Sequence, residues 1–475
     1  MHGITLTKSP ADWEILQQTD GTAKTELEGT FQVHPAAMEV GVKKVRPLVR
    51  VLREDDNFCV LPWTEMNFTV KEDFSGQFSC TLTIPQGGLY RLETTLETES
   101  AVPELTWLYR GDCVLHLGVG NLFLIAGQSN SSGYSRDSAM DPPQPGVHLF
   151  RNRSRWDMAC HPMNESTFAG SLPNEEMGVP GVSPYLSFGK RFRELSGCPV
   201  GFIQTSLGGS TMTQWLPPSG PLYQNLLDKV ALTRGQYAGV LWYQGCSDTT
   251  PSDAPLYGER FRTLVTSLRK DLGYDIPFFT FQLNRQINGE HDQCWGMVRE
   301  AQRKAALDLP GVYVLSTTNS PLCDGIHNNA HGNVMLGEKL SRLCGHVLLG
   351  KAPYAAPVLS EMTLEMPAKD STEDIRLRLT FQNVALGFIV YQTKGDICGF
   401  TLEDGKGPVP VRRISHTRQD GPNITLYLLR KPEPDAVLSF CWEANPIALP
   451  PVDEVTYLPP LSFYRVPVFQ TIKTI

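Results

Sequence analysis

The middle of the chain alternates short apolar segments with longer amphipathic ones, and this rhythm restricts the fold more than any other feature. Five apolar segments are typical of buried strands, at residues 122–126, 200–204, 239–243, 277–283 and 312–317. Helical periodicity fills the intervals, at about 183–196, 222–233, 257–272, 295–307 and 332–349. Strands that alternate with helices predict βαβ units and a parallel sheet. We therefore expect an α/β domain over residues 118–352.

Both flanks of this segment have a different pattern. Residues 77–84 and 89–92 alternate polar and apolar side chains around a turn at 85–88, and residues 375–379 and 424–428 do the same beyond a proline-containing linker. Such alternation predicts antiparallel strands. A chain of 475 residues has room for about three domains. We expect a β-sandwich-like domain at 1–117 and a second β domain at 353–475.

The overall composition excludes several classes of function. The chain has 42 basic and 50 acidic residues, a net charge of −8, which argues against a nucleic-acid-binding surface. No apolar run approaches the roughly 20 residues of a membrane helix, and the first residues lack the apolar core of a signal peptide. The 11 cysteines form no Cys-x-x-Cys pair, so they do not indicate a zinc or redox site. The expectation is a cytoplasmic protein that binds neither membrane nor nucleic acid. The composition leaves the oligomeric state open.

Polar residues follow the predicted strands at one edge of the sheet. Gly127-Gln128-Ser129-Asn130 follows the first strand, 205–210 the second, 244–248 the third, and 324–327 comes after the fifth. Ligands of open parallel sheets bind beyond the carboxyl ends of the strands. We therefore expect a functional site at this edge.

Ser129, His327 and Asp324 are the candidate catalytic residues. Gly127 permits the sharp turn that would expose the Ser129 hydroxyl as a nucleophile. His327 would be the general base, and Asp324, three residues earlier, could accept the other ring N–H and fix the tautomer. The alternatives are a helix-capping serine and a structural histidine, with His331 as a rival base. His327 and His331 also have a zinc-ligand spacing, but no glutamate lies between them.

Acyl transfer also needs donors for the oxyanion that forms in the transition state. The candidates are the backbone N–H groups of Ser129 and Gly209 and the side-chain amide of Gln244, with Gly208 as a possible substitute for Gly209. Trp215 and Trp242 could stack on a sugar, although a tryptophan at either position could equally belong to the core.

These motifs together resemble the SGNH hydrolase superfamily. Gly127-Gln128-Ser129-Asn130 and Asp324-Gly325-Ile326-His327 resemble its sialate O-acetylesterase and acetylxylan esterase branch. Trp242-Tyr243-Gln244-Gly245 resembles a third block of that branch, Trp-Tyr-Gln-Gly-Glu-Ser-Asp, but Cys246 replaces the glutamate. In some relatives this glutamate supports the histidine, so its absence leaves Asp324 as the better candidate.

The resemblance implies a flavodoxin-like α/β/α hydrolase that removes O-acetyl groups from a carbohydrate through an acetyl-enzyme on Ser129. The substrate would be a sialic acid or an acetylated oligosaccharide, and the reaction would need no metal or other cofactor. Gln128, Asn130 and Trp215 are the candidate substrate-binding residues, and Arg299 and Gln302 are expected to be structural.

Two other functions remain possible from the sequence. An α/β-hydrolase esterase would require Gly-x-Ser-x-Gly, whereas position 131 is serine. A carbohydrate-binding protein with an inactive hydrolase core would fit the cysteine at position 246, but the intact Ser129, Asp324 and His327 argue against it.

Overall fold

The structure is a computed structural model that describes residues 2–100, 105–165, 173–233, 236–368, 374–391 and 397–469. Within these ranges, no helix is long and apolar enough to cross a membrane.

The N-terminal part consists of strands around one hydrophobic core. Its helix α1 spans Pro35–Glu39. The strands are β1 Gly3–Lys8, β2 Ile15–Gln17, β3 Thr22–Gln32, β4 Val42–Arg53, β5 Cys59–Glu65, β6 Asn67–Val70, β7 Gly76–Pro85, β8 Gly87–Ser100 and β9 Thr106–Gly127. These strands pair antiparallel except for β2, which pairs in parallel with β9. One sheet has the order β1-β3-β7-β6, and β4 pairs with β5 and β8 in another. Because buried side chains from both sheets, such as Leu27, Phe78, Val49 and Leu92, share one cluster, the two sheets enclose a common core.

The central part contains six parallel strands in the order β10-β12-β9-β13-β14-β15, with β11 antiparallel at one edge. Its remaining strands are β10 Val147–Arg151, β11 Arg155–Met158, β12 Val200–Gln204, β13 Gly239–Tyr243, β14 Phe278–Phe281 and β15 Val312–Leu315. The helices are α2 Ser129–Ser132, α3 Tyr185–Ser196, α4 Pro221–Leu232, α5 Tyr257–Leu272, α6 Asp292–Asp308 and α7 Ala330–Leu349. Short 3₁₀ helices span Met212–Trp215, Cys246–Asp248 and Ala254–Leu256.

Helices cover both faces of this sheet. Phe123 of β9 packs its ring against Phe188 and Phe192 of α3. Trp242 of β13 pairs with residue 126 of β9 and packs against Phe261 of α5. Because successive side chains of a strand alternate between faces, residues 123 and 126 point to opposite sides, and so α3 and α5 lie on opposite faces. This explains why residues 122–126 are apolar without alternation and at most 2% exposed.

The C-terminal part is again antiparallel. Its strands are β16 Val358–Glu365, β17 Ile375–Gln382, β18 Phe388–Ile389, β19 Phe400–Asp404, β20 Gly407–Pro408, β21 Val411–Ser415, β22 Asn423–Leu428, β23 Val437–Phe440, β24 Val452–Asp453 and β25 Phe463–Pro467, and a 3₁₀ helix spans Arg418–Asp420. Two four-stranded sheets, β16-β17-β22-β21 and β20-β19-β23-β25, contribute to one core.

The α/β class and the flanking antiparallel sheets predicted from the sequence are confirmed. Each of the five predicted strands of the central sheet is present, but β10 and β11 were missed. β9 is longer than expected: its first half pairs with the antiparallel β8, and its second half pairs with the parallel β12 and β13. The predicted boundary at residues 117 and 118 therefore falls within a single strand shared by two sheets of different type.

Candidate active site

The end of β9 is held against β13 by a glycine. Gly127 has φ +126°, and a Cβ there would lie 2.4 Å from the carbonyl oxygen of Tyr243. The next backbone N–H, that of Gln128, donates to the same oxygen at 2.9 Å. A side chain at position 127 would disrupt this approach. The turn places Ser129 at the first position of α2, at the carboxyl edge of the sheet.

Ser129, His327 and Asp324 form one hydrogen-bonded chain. The Ser129 Oγ lies 2.9 Å from His327 Nε2, and His327 Nδ1 lies 2.7 Å from Asp324 Oδ2. With Asp324 ionised, Nδ1 carries the proton and Nε2 is free to accept one from the serine. The structure thus brings together the three residues that sequence reasoning selected as catalytic.

Asp324 and His327 lie in a turn that precedes α7. The second carboxylate oxygen of Asp324 accepts the backbone N–H groups of Ile326 and His327 at 2.8 and 2.7 Å. Partial burial by itself would raise the pKa of Asp324, but the His327 ring and these two N–H groups outweigh it and hold the pKa below its usual value. The same bonds fix the carboxylate relative to the imidazole.

A zinc site formed by His327 and His331 would need both residues on one helix, but α7 starts only at residue 330. His331 is exposed in the first turn of α7, whereas His327 precedes that helix, so the two are not one turn apart on a helical face. Among the described residues, no group of three or more His, Cys, Asp or Glu side chains is arranged to hold a metal ion.

Gln128 and Asn130 bind neighbouring loops. The Gln128 side-chain oxygen accepts the N–H of Gly245 at 2.9 Å, beyond β13. The Asn130 amide donates to the carbonyl of Ile326 at 3.3 Å and accepts the N–H of Asn328 at 3.0 Å. Both side chains are at most 3% exposed. They therefore tie the serine turn to the β13 loop and to the loop that carries His327.

Two backbone N–H groups are available as oxyanion donors. Within the described ranges, neither the Ser129 nor the Gly209 N–H has a hydrogen-bond acceptor, while the Gly208 N–H is bonded to the carboxylate of Glu176. Gly209 has φ +71°, which glycine adopts without strain. Of the two glycines considered, Gly209 is the one with a free donor.

The Gln244 amide is occupied. This fully buried side chain donates to the carbonyl of Ser210 at 3.1 Å and to the carboxylate of Asp248. Asp248 also accepts the N–H of Met212 at 3.0 Å. Burial raises the pKa of Asp248, although these hydrogen bonds oppose the rise. Because both amide protons are committed, Gln244 in this arrangement holds the loop after β12 and has none left for an oxyanion.

Trp215 and Trp242 are core residues. Trp215 is fully buried, donates from its indole N–H to Ser210 Oγ at 3.1 Å, and packs edge-to-face on Trp242 with ring centres 5.2 Å apart. Trp242 is 1% exposed. Neither ring presents a face to a sugar in this conformation.

Cys246 lies near Asn284, and no hydrogen bond joins it to His327. Its sulfur is 3.8 Å from the Asn284 side-chain oxygen. Burial raises the pKa of the Cys246 thiol to about 12, with the nearby Arg299 charge opposing. At neutral pH it is therefore a neutral thiol and a poor nucleophile.

Sequence reasoning missed two residues, one of which contacts the His327 ring and the other the backbone of the residue before it. The Tyr134 ring stacks on the His327 ring, with centres 5.2 Å apart and planes inclined by 25°. The Asn284 amide donates to the carbonyl of Ile326 at 2.6 Å. Asn284 follows the fourth predicted strand directly, so the strand-end argument could have found it. Tyr134 lies in an irregular loop and had no such signal.

Comparison with known proteins finds a family and several solved structures to which this chain is similar. Residues 119–345 match the model of a family described as carbohydrate esterase, sialic acid-specific acetylesterase. No curated protein matches the chain. A carbohydrate acetylesterase from Xanthomonas citri is similar over 97% of this chain and 99% of its own, at 19% identity and a TM-score of 0.65. A protein from Arabidopsis thaliana is similar over 47% of this chain and 96% of its own, at 24% identity and a TM-score of 0.41. NanS is similar over 49% of this chain and 98% of its own, at 12% identity and a TM-score of 0.39.

The matched segment contains Ser129, Asp324 and His327, and the chain therefore carries a domain of this carbohydrate esterase family. The protein is a carboxylic ester hydrolase that removes acetyl groups from carbohydrate.

Proposed function

We propose that this esterase is a serine hydrolase that forms an acetyl-enzyme on Ser129. The observation that carries the proposal is the continuous hydrogen-bonded chain from Ser129 Oγ through His327 to Asp324, at 2.9 and 2.7 Å. A nucleophile, a base and an orienting acid in this order are the arrangement that activates a serine.

Acylation uses the imidazole twice. Ser129 Oγ attacks the acetyl carbonyl carbon while its proton passes to His327 Nε2, and a tetrahedral intermediate with a negative oxygen forms. When the bond from the acetyl carbon to the sugar oxygen breaks, His327 returns that proton to the sugar oxygen. The deacetylated sugar leaves as an alcohol, and the acetyl group stays on Ser129.

Deacylation repeats the sequence with water. His327 Nε2 takes one proton from a water molecule whose oxygen attacks the acetyl carbon. The bond to Ser129 Oγ breaks, the proton returns to that oxygen, and acetic acid is released. Asp324 keeps the same ring orientation throughout and stabilises the imidazolium that forms in each half-reaction.

The N–H groups of Ser129 and Gly209 would stabilise the negative oxygen. Fixed donors of this kind are each worth about 3 kcal/mol of barrier. We assign Gln128, Asn130 and Gln244 to holding the surrounding loops, because their side-chain bonds are made to those loops. When the edge strand β10 is left out, the parallel strands β12-β9-β13-β14-β15 have the order 2-1-3-4-5 along the chain, which supports a flavodoxin-like SGNH core.

We further propose three domains, at 1–117, 118–352 and 353–475, with β9 joining the first two. Sialic acids and acetylated oligosaccharides are both candidate substrates. The cytoplasmic location stays a prediction from the sequence.

The test is Ser129→Ala in the full chain. We expect acetate release to fall by about 10⁴-fold or more with the fold intact, because members of a triad act as a unit. Mass spectrometry of the wild type quenched during turnover should find one acetyl group on the peptide that contains Ser129. Near-normal turnover by a folded Ser129→Ala protein would exclude this mechanism. Assaying acetylated sialic acids beside acetylated xylo-oligosaccharides would then decide between the two substrate classes.

A further inference from the structure

A buried carboxylate lies behind the Gly208–Gly209 turn. Glu176 is 1% exposed and belongs to no helix or extended strand. Its oxygens accept the N–H of Gly208 at 2.9 and 3.0 Å, the hydroxyl of Tyr134 at 2.7 Å and the amide of Asn164 at 2.8 Å. All three donors are neutral, and a carboxylate that accepts from several of them fixes their positions more firmly than a neutral acceptor would.

Gly208 is pressed against this carboxylate. A Cβ at position 208 would lie 2.7 Å from a Glu176 oxygen and 2.9 Å from the Tyr134 hydroxyl, closer than side chains tolerate. The Gly208 peptide is therefore locked onto Glu176 by its hydrogen bond and by its packing. The next N–H along the chain is that of Gly209, the proposed oxyanion donor.

The same carboxylate also reaches the general base. Tyr134 donates its hydroxyl to Glu176, and its ring stacks on the His327 imidazole at 5.2 Å. Asn164 extends the support, because its amide also donates to the carbonyl of Ser206, two residues before Gly208. One side chain thus contacts both the oxyanion turn and the residue against which the imidazole rests.

We propose that Glu176 is a positioning residue for the reaction: it holds the Gly209 N–H at the oxyanion position and, through Tyr134, holds the plane of His327. The inference rests on the proposed serine mechanism. It predicts that Glu176 acts on the transition state without contacting the substrate.

The experiment is Glu176→Gln, which keeps the volume but replaces one acceptor oxygen with an NH₂ group that faces N–H and O–H donors. We expect kcat to fall about 10- to 100-fold with KM within about twofold, because the oxyanion contact exists only in the transition state and complete loss of one such donor costs about 10²–10³.

Glu175→Gln is the matched control. Glu175 is 5% exposed, and neither of its oxygens has a hydrogen-bond partner among the described residues. This variant removes the same charge one residue away without touching Gly208 or Tyr134. Its kcat should stay within about twofold of the wild type, since surrounding charge alone is not the cause we propose.

A second readout reports on the oxyanion position directly. A phosphonate that reacts with Ser129 places a phosphoryl oxygen where the oxyanion forms, so its inactivation rate should fall in parallel with kcat in Glu176→Gln. If that variant does not fold, Gly208→Ala tests the same contact from the other side. Its Cβ should displace the turn and give the same loss of kcat at unchanged KM.

Full kcat in folded Glu176→Gln, a change in KM alone, or an equal loss in Glu175→Gln would each overturn the inference. The activity of Ser129→Ala distinguishes a failure of the positioning role from a failure of the serine mechanism. If Ser129→Ala is inactive while Glu176→Gln is fully active, only the positioning role is wrong; if Ser129→Ala is active, the serine mechanism itself is wrong.

Discussion

Replacing Asp324 with asparagine should trap His327 in the wrong tautomer. One oxygen of Asp324 accepts the backbone N–H groups of Ile326 and His327, and the other faces His327 Nδ1. An asparagine would keep its single oxygen on the two backbone donors and so turn its NH₂ toward Nδ1. Because two donors cannot share that contact, the ring proton moves to Nε2, where it blocks proton transfer from Ser129.

The size of the effect follows from the exposure of this carboxylate. The same change at a buried triad aspartate lowers kcat by about 10⁴. The Asp324 side chain is 46% exposed, so water can solvate part of the mismatch, and we expect about 10³-fold, or about 4 kcal/mol of barrier. Asp324→Ala should lose less, about 10²-fold, because water can enter the vacated site and accept the Nδ1 proton.

The assay is kcat and kcat/KM for both variants on one acetyl ester, with Cys246→Ala as the control. Cys246 occupies the glutamate position of the third block that the sequence resembles, and its neutral thiol should be dispensable, with activity within about threefold of the wild type. If Asp324→Asn stays within about tenfold of the wild type, or is more active than Asp324→Ala, the tautomer argument is refuted. A collapse in Cys246→Ala would move the support of His327 to the β13 loop.

Two further outcomes are expected. In the same acetate-release assay, His327→Ala should lose as much activity as Ser129→Ala. His331 lies on the exposed first turn of α7, and His331→Ala should stay within about threefold of the wild type. The reverse order of activities would make His331 the base. Burial lowers the pKa of Lys229 to about 7 from its usual 10.5. Between these two pH values the unfolded chain binds more protons than the folded one. The free-energy cost of burying the lysine therefore falls as the pH rises. Methionine at position 229 would lose the hydrogen bonds of Lys229 to Asn152 and Gln204 at every pH. In denaturant unfolding, the free energy of Lys229→Met relative to wild type should therefore shift in favour of the variant between pH 10 and pH 7, by up to about 1.4 kcal/mol per pH unit, and a pH-independent difference would contradict the argument.

The sequence predicted the central sheet because its strands are buried on both faces. Residues 122–126, 200–204 and 239–243 lack the period-2 alternation of a half-exposed strand, and their runs end where the structure ends the strands, within a residue. The change of pattern near residue 117 corresponds to a change of environment within β9. The first half of β9 alternates in burial, as an antiparallel strand does, and the second half is uniformly buried, so the proposed domain boundary lies inside one continuous strand.

The strand-end argument predicted the edge of the sheet at which the candidate site lies, but not the direction of each side chain. It placed Gln128, Asn130 and Gln244 at the correct edge, but a sequence does not show which neighbouring loop a side chain reaches across the sheet. Glu176 and Tyr134 come from irregular segments, where periodicity carries no information. Their contacts depend on how distant loops fold together, over 42 residues between these two and 193 residues from Tyr134 to His327.

These contacts explain why motifs indicate the reaction and not the sugar. The polar motif side chains Gln128, Asn130 and Gln244 bond to backbone groups of adjacent loops. In the mechanism that we propose, the groups that meet the ester are Ser129, His327 and two backbone N–H groups. Every acetyl ester presents the same carbonyl to those groups, whatever alcohol it is attached to. Selectivity for a sugar must then come from side chains outside the motifs, on the loops around Ser129, where the sequence has no periodicity to interpret. Substitution of motif residues should therefore reduce kcat for sialic acid and xylo-oligosaccharide esters by similar factors, and a motif variant that changed the ratio between the two substrates would show that its side chain contacts the sugar.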